Sequence, residues 1–290
     1  MSSGKLHKYN DNLVAFEFNS TTPNPTDNAI IFIGGLGDGL LTVPYLSKLN
    51  ESLPTNWSLF QILISSSYQG WGTGSLDRDI KEIKQFVDYL HGLGKQKVVL
   101  FGHSTGTQDS IHYALQNQGQ GIDGIILQAP VSDREAIVKS SKEDGLDLDS
   151  YNKEAQEFFD KQGPQAVLPK KFSDFLFGVS AISSYRWLSL TLENGDDDYF
   201  STDLSDEKLQ ETFGKLNKPT LVLYSGEDQF FPDGVDIGKV LQRWESFTKP
   251  GVWSKYSLVI DGATHNIGEG SKEGSVDVLI KQVQSFINEL

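Results

Sequence analysis

Cysteine is missing from all 290 residues. Its absence excludes disulfides, thiolate nucleophiles and Cys-ligated zinc, and it permits a reducing compartment. Positive charge is scarce: 25 Lys and Arg stand against 39 Asp and Glu, a formal net charge of −14, with a sequence pI near 4.7. Nucleic acid and anionic membrane surfaces are therefore disfavoured as partners, since polyanions are held by Lys and Arg. No apolar run is long enough to span a bilayer, and the opening "MSSGKLHKYNDNLVAFEF" lacks the basic-then-apolar plan of a signal peptide. The expected location is the cytoplasm. Internal repeats, low-complexity tails and His/carboxylate clusters at metal-ligand spacing are absent too, so no metal or cofactor is expected.

What the chain does have is alternation. "LVAFEF" (13–18), "AIIFI" (29–33), "WSLFQILI" (57–64), "KVVLF" (97–101), "IDGIILQ" (122–128), "TLVLYS" (220–225) and "YSLVI" (256–260) read as strands, several of them continuously apolar. Amphipathic stretches lie between them. The clearest starts near Asp77, where Ile80, Ile83, Phe86, Val87 and Leu90 form one apolar stripe. Such βα alternation predicts a mostly parallel sheet covered by helices on both faces.

The alternation lapses between residues 135 and 218. Three helical patterns replace it, "EAQEFFDKQG", "FSDFLFGVSAISSYRWLSL" and "DEKLQETFGKL", with Phe172, Phe175, Leu176 and Val179 on one side. We expect a helical cap here, inserted into a core of 1–134 and 219–290. From Glu135 to Lys215 there are 17 acidic and 9 basic residues, so more than half of the net charge sits in under a third of the chain. The acidic loop "LENGDDDYFSTDLSDE" (192–207) is expected to be a solvated surface.

One junction carries chemistry. In "KVVLFGHSTGTQDSIHY" (97–113), Gly102, Ser104 and Gly106 form G-x-S-x-G between a predicted strand and a predicted helix. A sharp turn there would expose the hydroxyl at a helix N-terminus, whose dipole favours developing negative charge. Serine needs a base to become a useful nucleophile. Of His7, His91, His103, His112 and His265, only His265 follows a late strand in a loop, "YSLVIDGATHNIG"; His7 falls in an apparently loose N-terminus. A carboxylate must then orient the imidazole. Asp228, after the strand 220–225 and 37 residues before His265, fits best; Glu227, Asp233 and the more distant Asp133 are alternatives. The order Ser, Asp, His is that of the α/β-hydrolases. Oxyanion donors would be the backbone amides of Thr105 and of Leu36, the latter in the glycine loop of "IIFIGGLGDGLL" (30–41). That loop has neither a P-loop nor a dinucleotide-binding pattern.

With "SSSYQGWGTGSLDRDIKEI" (65–83), "FGHSTGTQDSIHY" (101–113), "LQAPVSDREA" (127–136) and "LVLYSGEDQFFP" (221–232), the chain resembles the fungal and plant α/β-hydrolases that include siderophore esterases of the fusarinine type. The resemblance implies an α/β-hydrolase fold and a triad of Ser104, Asp228 and His265. It also implies cleavage of ester bonds in hydroxamate siderophores, with a small ester, a ferric siderophore in the specific version, as the partner. Generic carboxylesterase, thioesterase or lactonase activity and a non-catalytic ligand pocket are the alternatives. Coenzyme A thioesters suit the acidic cap poorly. Substrate contacts are expected at strand ends, from Tyr68, Trp71 and Thr73 and from Asp133 and Arg134, and in the cap from aromatics such as Phe175, Phe177 and Trp187. Arg134 has an alternative role, pairing with a cap carboxylate.

Overall fold

A computed structural model describes residues 2–19, 27–176 and 178–290, so Phe177 lies outside the described residues. One eight-stranded sheet organises the chain. Its strands are β1 (Gly4–Lys8), β2 (Val14–Phe18), β3 (Asn28–Ile33), β4 (Trp57–Ile62), β5 (Lys97–His103), β6 (Gly124–Gln128), β7 (Thr220–Ser225) and β8 (Leu258–Ile260). They are ordered β1-β2-β4-β3-β5-β6-β7-β8. From β4 to β8 all neighbours are parallel, and β1 and β2 form an antiparallel edge.

The helices are α1 (Leu46–Ser52), α2 (Leu76–Gly92), α3 (Thr105–Gln116), α4 (Asp133–Glu143), α5 (Leu148–Gln162), α6 (Lys170–Phe175), α7 (Ser184–Thr191), α8 (Asp206–Glu211), α9 (Ile237–Phe247) and α10 (Ser275–Ile287). None of the described helices is long and apolar enough to cross a membrane. Side chains alternate across each strand, so the continuously apolar strands feed two cores. Val98 and Leu100 join Ile83, Phe86 and Ile111 beneath α2 and α3, while Val99 and Phe101 join Leu49 and Leu279 beneath α1 and α10.

The N-terminus corrects one expectation. His7 is not in a loose tail: it lies in β1, its ring bonded to Glu17 at 2.9 Å and to the Tyr89 hydroxyl at 3.2 Å. Single-strand pattern could not reveal this, because β1 is mostly exposed and is held by its pairing with β2.

Between β6 and β7 the chain forms α4 to α8. The expected single helix over 172–190 is broken into α6 and α7, and Leu168 N to Ile182 O (2.9 Å) and Ser183 N to Gly72 O (2.8 Å) tie down the intervening chain. Trp71, Phe172, Leu176, Ile182 and Trp187 form a third hydrophobic cluster separate from the two sheet cores. The later part of the segment behaves differently: Tyr199, Phe200, Leu209 and Phe213 pack into the sheet core beside Trp244.

The acidic loop 192–207 is also not wholly solvated. Asp197 and Asp198 are buried. Both Asp197 oxygens accept from Arg186 at 2.7 Å, and Asp198 accepts from Arg134 Nε at 3.0 Å. Charge alone marks a segment as polar, but guanidinium partners from outside the loop, eleven and 64 residues away, make burial tolerable.

Candidate active site

Ser104 caps β5 with φ 53° and ψ −129°, a positive φ that a serine adopts only under strain. Its neighbours explain the glycines. A Cβ on Gly102 would lie 2.1 Å from the Gly106 carbonyl oxygen, and one on Gly106 would lie 2.2 Å from that of Ile33. Any side chain at either position would push α3 off the sheet. The turn is fixed by Ser104 N donating to Gln128 O at 3.1 Å and Thr107 N donating to Ser104 O at 2.8 Å.

Asp228 and His265 come from the loops after β7 and β8. Their side chains meet: His265 Nδ1 donates to Asp228 Oδ2 at 2.7 Å, and both residues are buried. That bond leaves Nε2 as the basic nitrogen. The other Asp228 oxygen accepts from Phe230 N at 3.0 Å. Of the alternatives, Glu227 precedes this pair without joining it, and Asp233 pairs with Lys139 at 2.8 Å. Phe230 meets the imidazole edge-on, with ring centres 4.8 Å apart.

Two residues that sequence reasoning did not assign to the site support it from below. Gln128, fully buried at the end of β6, donates from Nε2 to His265 O and to Ser225 Oγ, both at 3.1 Å. Its Oε1 accepts from Tyr45 at 3.0 Å and from His103 Nδ1 at 2.5 Å. Burial, aided by the proximity of His265, pushes the His103 imidazole down to about 4, so it stays neutral beneath His265. A glutamine closing the apolar run "IDGIILQ" was the available signal, because a buried amide must find partners.

The glycine loop after β3 is shaped by Asp38. Its Oδ2 accepts from Gly35 N at 2.8 Å and its Oδ1 from Thr42 Oγ1 at 2.7 Å. The Leu36 amide, like that of Thr105, donates to no group among the described residues. Gly35 lies against the serine: a Cβ there would approach Ser104 Cβ to 2.5 Å and Oγ to 3.0 Å.

Ser104, His265, Leu36 and Asp133 all line one cavity of about 410 Å³, walled also by Ile137, Phe175, Leu176, Leu190 and Phe230. Ser104 and His265 line the same cavity, and among the described residues the His265 ring is bonded only to Asp228, through Nδ1. Asp133 Oδ2 accepts from Gln108 Nε2 at 2.7 Å, and burial pushes its carboxyl up to about 7.

The remaining expected contacts stand outside the described walls of this cavity. Tyr68 is largely exposed and its hydroxyl accepts from Leu40 N at 3.0 Å. Thr73 faces solvent. Arg134 is spent on Asp198 and Asp203. Trp187 is fully buried among Tyr151, Phe172 and Phe175, its Nε1 donating to Asn152 at 2.8 Å. Trp71 is buried and lines a second, narrow cavity of about 20 Å³ beneath the glycine loop. Thr105 Oγ1, Asp109 Oδ1 and Arg186 Nε belong to residues lining that same cavity, and all three atoms are buried without a hydrogen-bond partner among the described residues. It has room for about one water, which could satisfy them.

The whole chain has relatives. Residues 1–288 match the family described as "Protein of unknown function (DUF1749)". Fusarinine C esterase sidJ of Aspergillus fumigatus is 35% identical, over 99% of this chain and 96% of its own. Esterase AN6793 of Emericella nidulans is 36% identical, over 98% of this chain and 92% of its own. The solved structure of siderophore hydrolase EstB from Aspergillus fumigatus superposes with a TM-score of 0.86 at 34% identity, covering 100% of this chain and 98% of that one.

Proposed function

The chain belongs to the DUF1749 family and is an ester-hydrolysing α/β-hydrolase, and from that premise we propose that it is a siderophore esterase acting through Ser104, His265 and Asp228. The observation that carries the residue assignment is the 2.7 Å bond from His265 Nδ1 to Asp228, beside the strained serine and on the wall of the same cavity.

In this reading Ser104 Oγ attacks the ester carbonyl while His265 Nε2 takes its proton, and Asp228 steadies the imidazolium. The carbonyl oxygen becomes an oxyanion held by the Thr105 and Leu36 amides, which donate to no group among the described residues. His265 returns the proton to the departing alkoxide, leaving an acyl-serine and a free alcohol. Water, deprotonated by His265, then releases the acid and restores the serine. We assign residues 135–218 to a cap over a core of 1–134 and 219–290, since Ile137, Phe175, Leu176 and Leu190 supply apolar wall. The substrate class we propose is that of the relatives named fusarinine C esterase and siderophore hydrolase, a siderophore of the fusarinine type, and the compartment we propose is the cytoplasm.

Hydrolysis of a ferric fusarinine-type ester and of a short-chain nitrophenyl ester by wild type and Ser104→Ala tests this, with a fluorophosphonate probe in parallel. Both hydrolyses and the labelling are expected to vanish in the variant, a loss of about 10⁴ to 10⁶ in kcat. Turnover of the nitrophenyl ester with none of the siderophore would remove the siderophore from the reading.

A further inference from the structure

We propose that Asp133 makes the large cavity a receptor for an ester that also carries an ammonium group. The inference rests on the reading of that cavity as the site of ester hydrolysis and adds a requirement on the substrate.

The charges on the cavity wall are one-sided. Its described lining includes two carboxylates, Asp38 and Asp133, and neither a lysine nor an arginine. The two acids differ in what they have left to offer. Asp38 has one oxygen bonded to Gly35 N and the other to Thr42 Oγ1, so it is occupied in shaping the glycine loop. Asp133 uses Oδ2 to accept from Gln108, while its Oδ1 accepts from no described group.

The charged groups facing Asp133 from each neighbouring element leave it without a cation of its own. Arg186, on α7, is the main positive influence on the Asp133 carboxyl, but its NH1 is held by both oxygens of Asp197. Asp197 and Asp198, before α8, add negative charge, and His265, after β8, contributes positive charge only when protonated. Val131, Ala136, Ile137 and Leu190 supply apolar wall to the same cavity. Asp133 is half-buried on the cavity wall with one oxygen unpaired among the described residues, and an ammonium from the ligand would give that oxygen a charged partner. An anionic ester would instead meet two carboxylates and no compensating base. The acidic stretch from Glu135 to Lys215 adds a field that draws cations toward this side of the molecule.

The test compares esters in matched pairs. One series is nitrophenyl esters of ω-aminoalkanoic acids of graded length; the other is acetate esters of ω-amino alcohols; every member has an N-acetyl counterpart in which the charge is gone. Alkylammonium groups stay charged well above neutrality, so the ligand's own titration does not intrude. The ratio of kcat/KM within a pair also cancels the protonation of His265, which acts on both members alike. Wild type is expected to prefer the ammonium ester of the best pair by about tenfold or more. Because burial raises the Asp133 carboxyl to about 7, the preference should grow as pH rises through 7, where the carboxylate forms.

In Asp133→Asn the ratio should fall to near one at every pH, and Asp133→Glu should restore part of it. Asp144→Asn, on the exposed turn after α4, should keep the wild-type ratio. A wild-type ratio near one in both series while the N-acetyl esters turn over would overturn the inference and leave the esterase reading standing. So would a preference that survives in Asp133→Asn. A wild type that turns over none of the esters would overturn the esterase reading and this inference with it.

Discussion

Two cavities share the glycine loop after β3, with Gly35, Leu36 and Asp38 in the wall of both. The larger, about 410 Å³, is mainly apolar and presents Ser104, His265 and Asp133. The smaller, about 20 Å³, is crowded with buried charge: Asp79, Asp109 and Arg186. In the large cavity polar groups are few and are left free to meet a ligand, the usual composition of a binding site. In the small one charge is answered largely from within the protein. Ser66 Oγ bonds both Asp79 oxygens at 2.6 to 2.7 Å, and Arg186 is clamped by Asp197. The loop which would hold the oxyanion is thus backed by a charge network reaching α7, a helix that follows β6 by more than fifty residues.

The largest expected effect lies on the large-cavity side. Asp228→Asn keeps the shape but offers His265 a side chain that can hold the wrong tautomer, and ester turnover should fall by about 10⁴ in kcat with little change in folding. A loss of less than tenfold would transfer the orienting role elsewhere, with Asp133 as the next acid to test.

On the small-cavity side the first consequence should be stability. Arg186→Met leaves Asp197 buried without its partner and should cost about 3–5 kcal/mol, read as a lowered urea midpoint at unchanged slope. Replacing Asp197 by Leu in the same chain should recover much of that loss, since an apolar pair of similar volume avoids an orphaned charge. If Arg186→Met instead abolished turnover with no loss of stability, the network would be part of the reacting site and the contrast between the cavities would fail.

The third effect, at most a few kcal/mol since one pKa unit is worth about 1.4 kcal/mol, is a pH dependence that differs between the two cavities. Burial raises Asp79 to about 6 and Asp133 to about 7, from a common 3.8. A raised carboxyl binds its proton more tightly in the folded state, so each contributes stability that is full below about pH 4 and is lost as pH rises through its folded value. Asp79→Asn should therefore flatten the stability curve between about pH 4 and 6, and Asp133→Asn should flatten it up to about pH 7. Urea midpoints measured across this range check both, and curves that stay parallel to wild type would contradict the assignment.

The legible parts of this molecule were those written locally. Alternating apolar strands and amphipathic helices encode the parallel sheet, because side-chain period decides which surface can be buried. The elbow was legible because only glycine tolerates the approach of Gly106 to the Ile33 carbonyl and of Gly102 to Gly106. Asp228 and His265 stood out by position after successive strands, since strand ends converge at one edge of such a sheet.

Tertiary structure decided what those residues meet. It brought Asp228 to 2.7 Å from His265, set Gln128 beneath both histidines, and left Asp133 with a free oxygen on the cavity wall. It also withdrew Trp187 into a hydrophobic cluster, gave Arg134 to Asp198 and Asp203, and buried an aspartate pair in a loop whose composition reads as solvated. Local sequence determines backbone conformation and apolar periodicity, which act over a few residues. The partner of a charge or an amide is chosen by residues tens to more than a hundred positions away, and only the folded chain brings them within hydrogen-bonding reach.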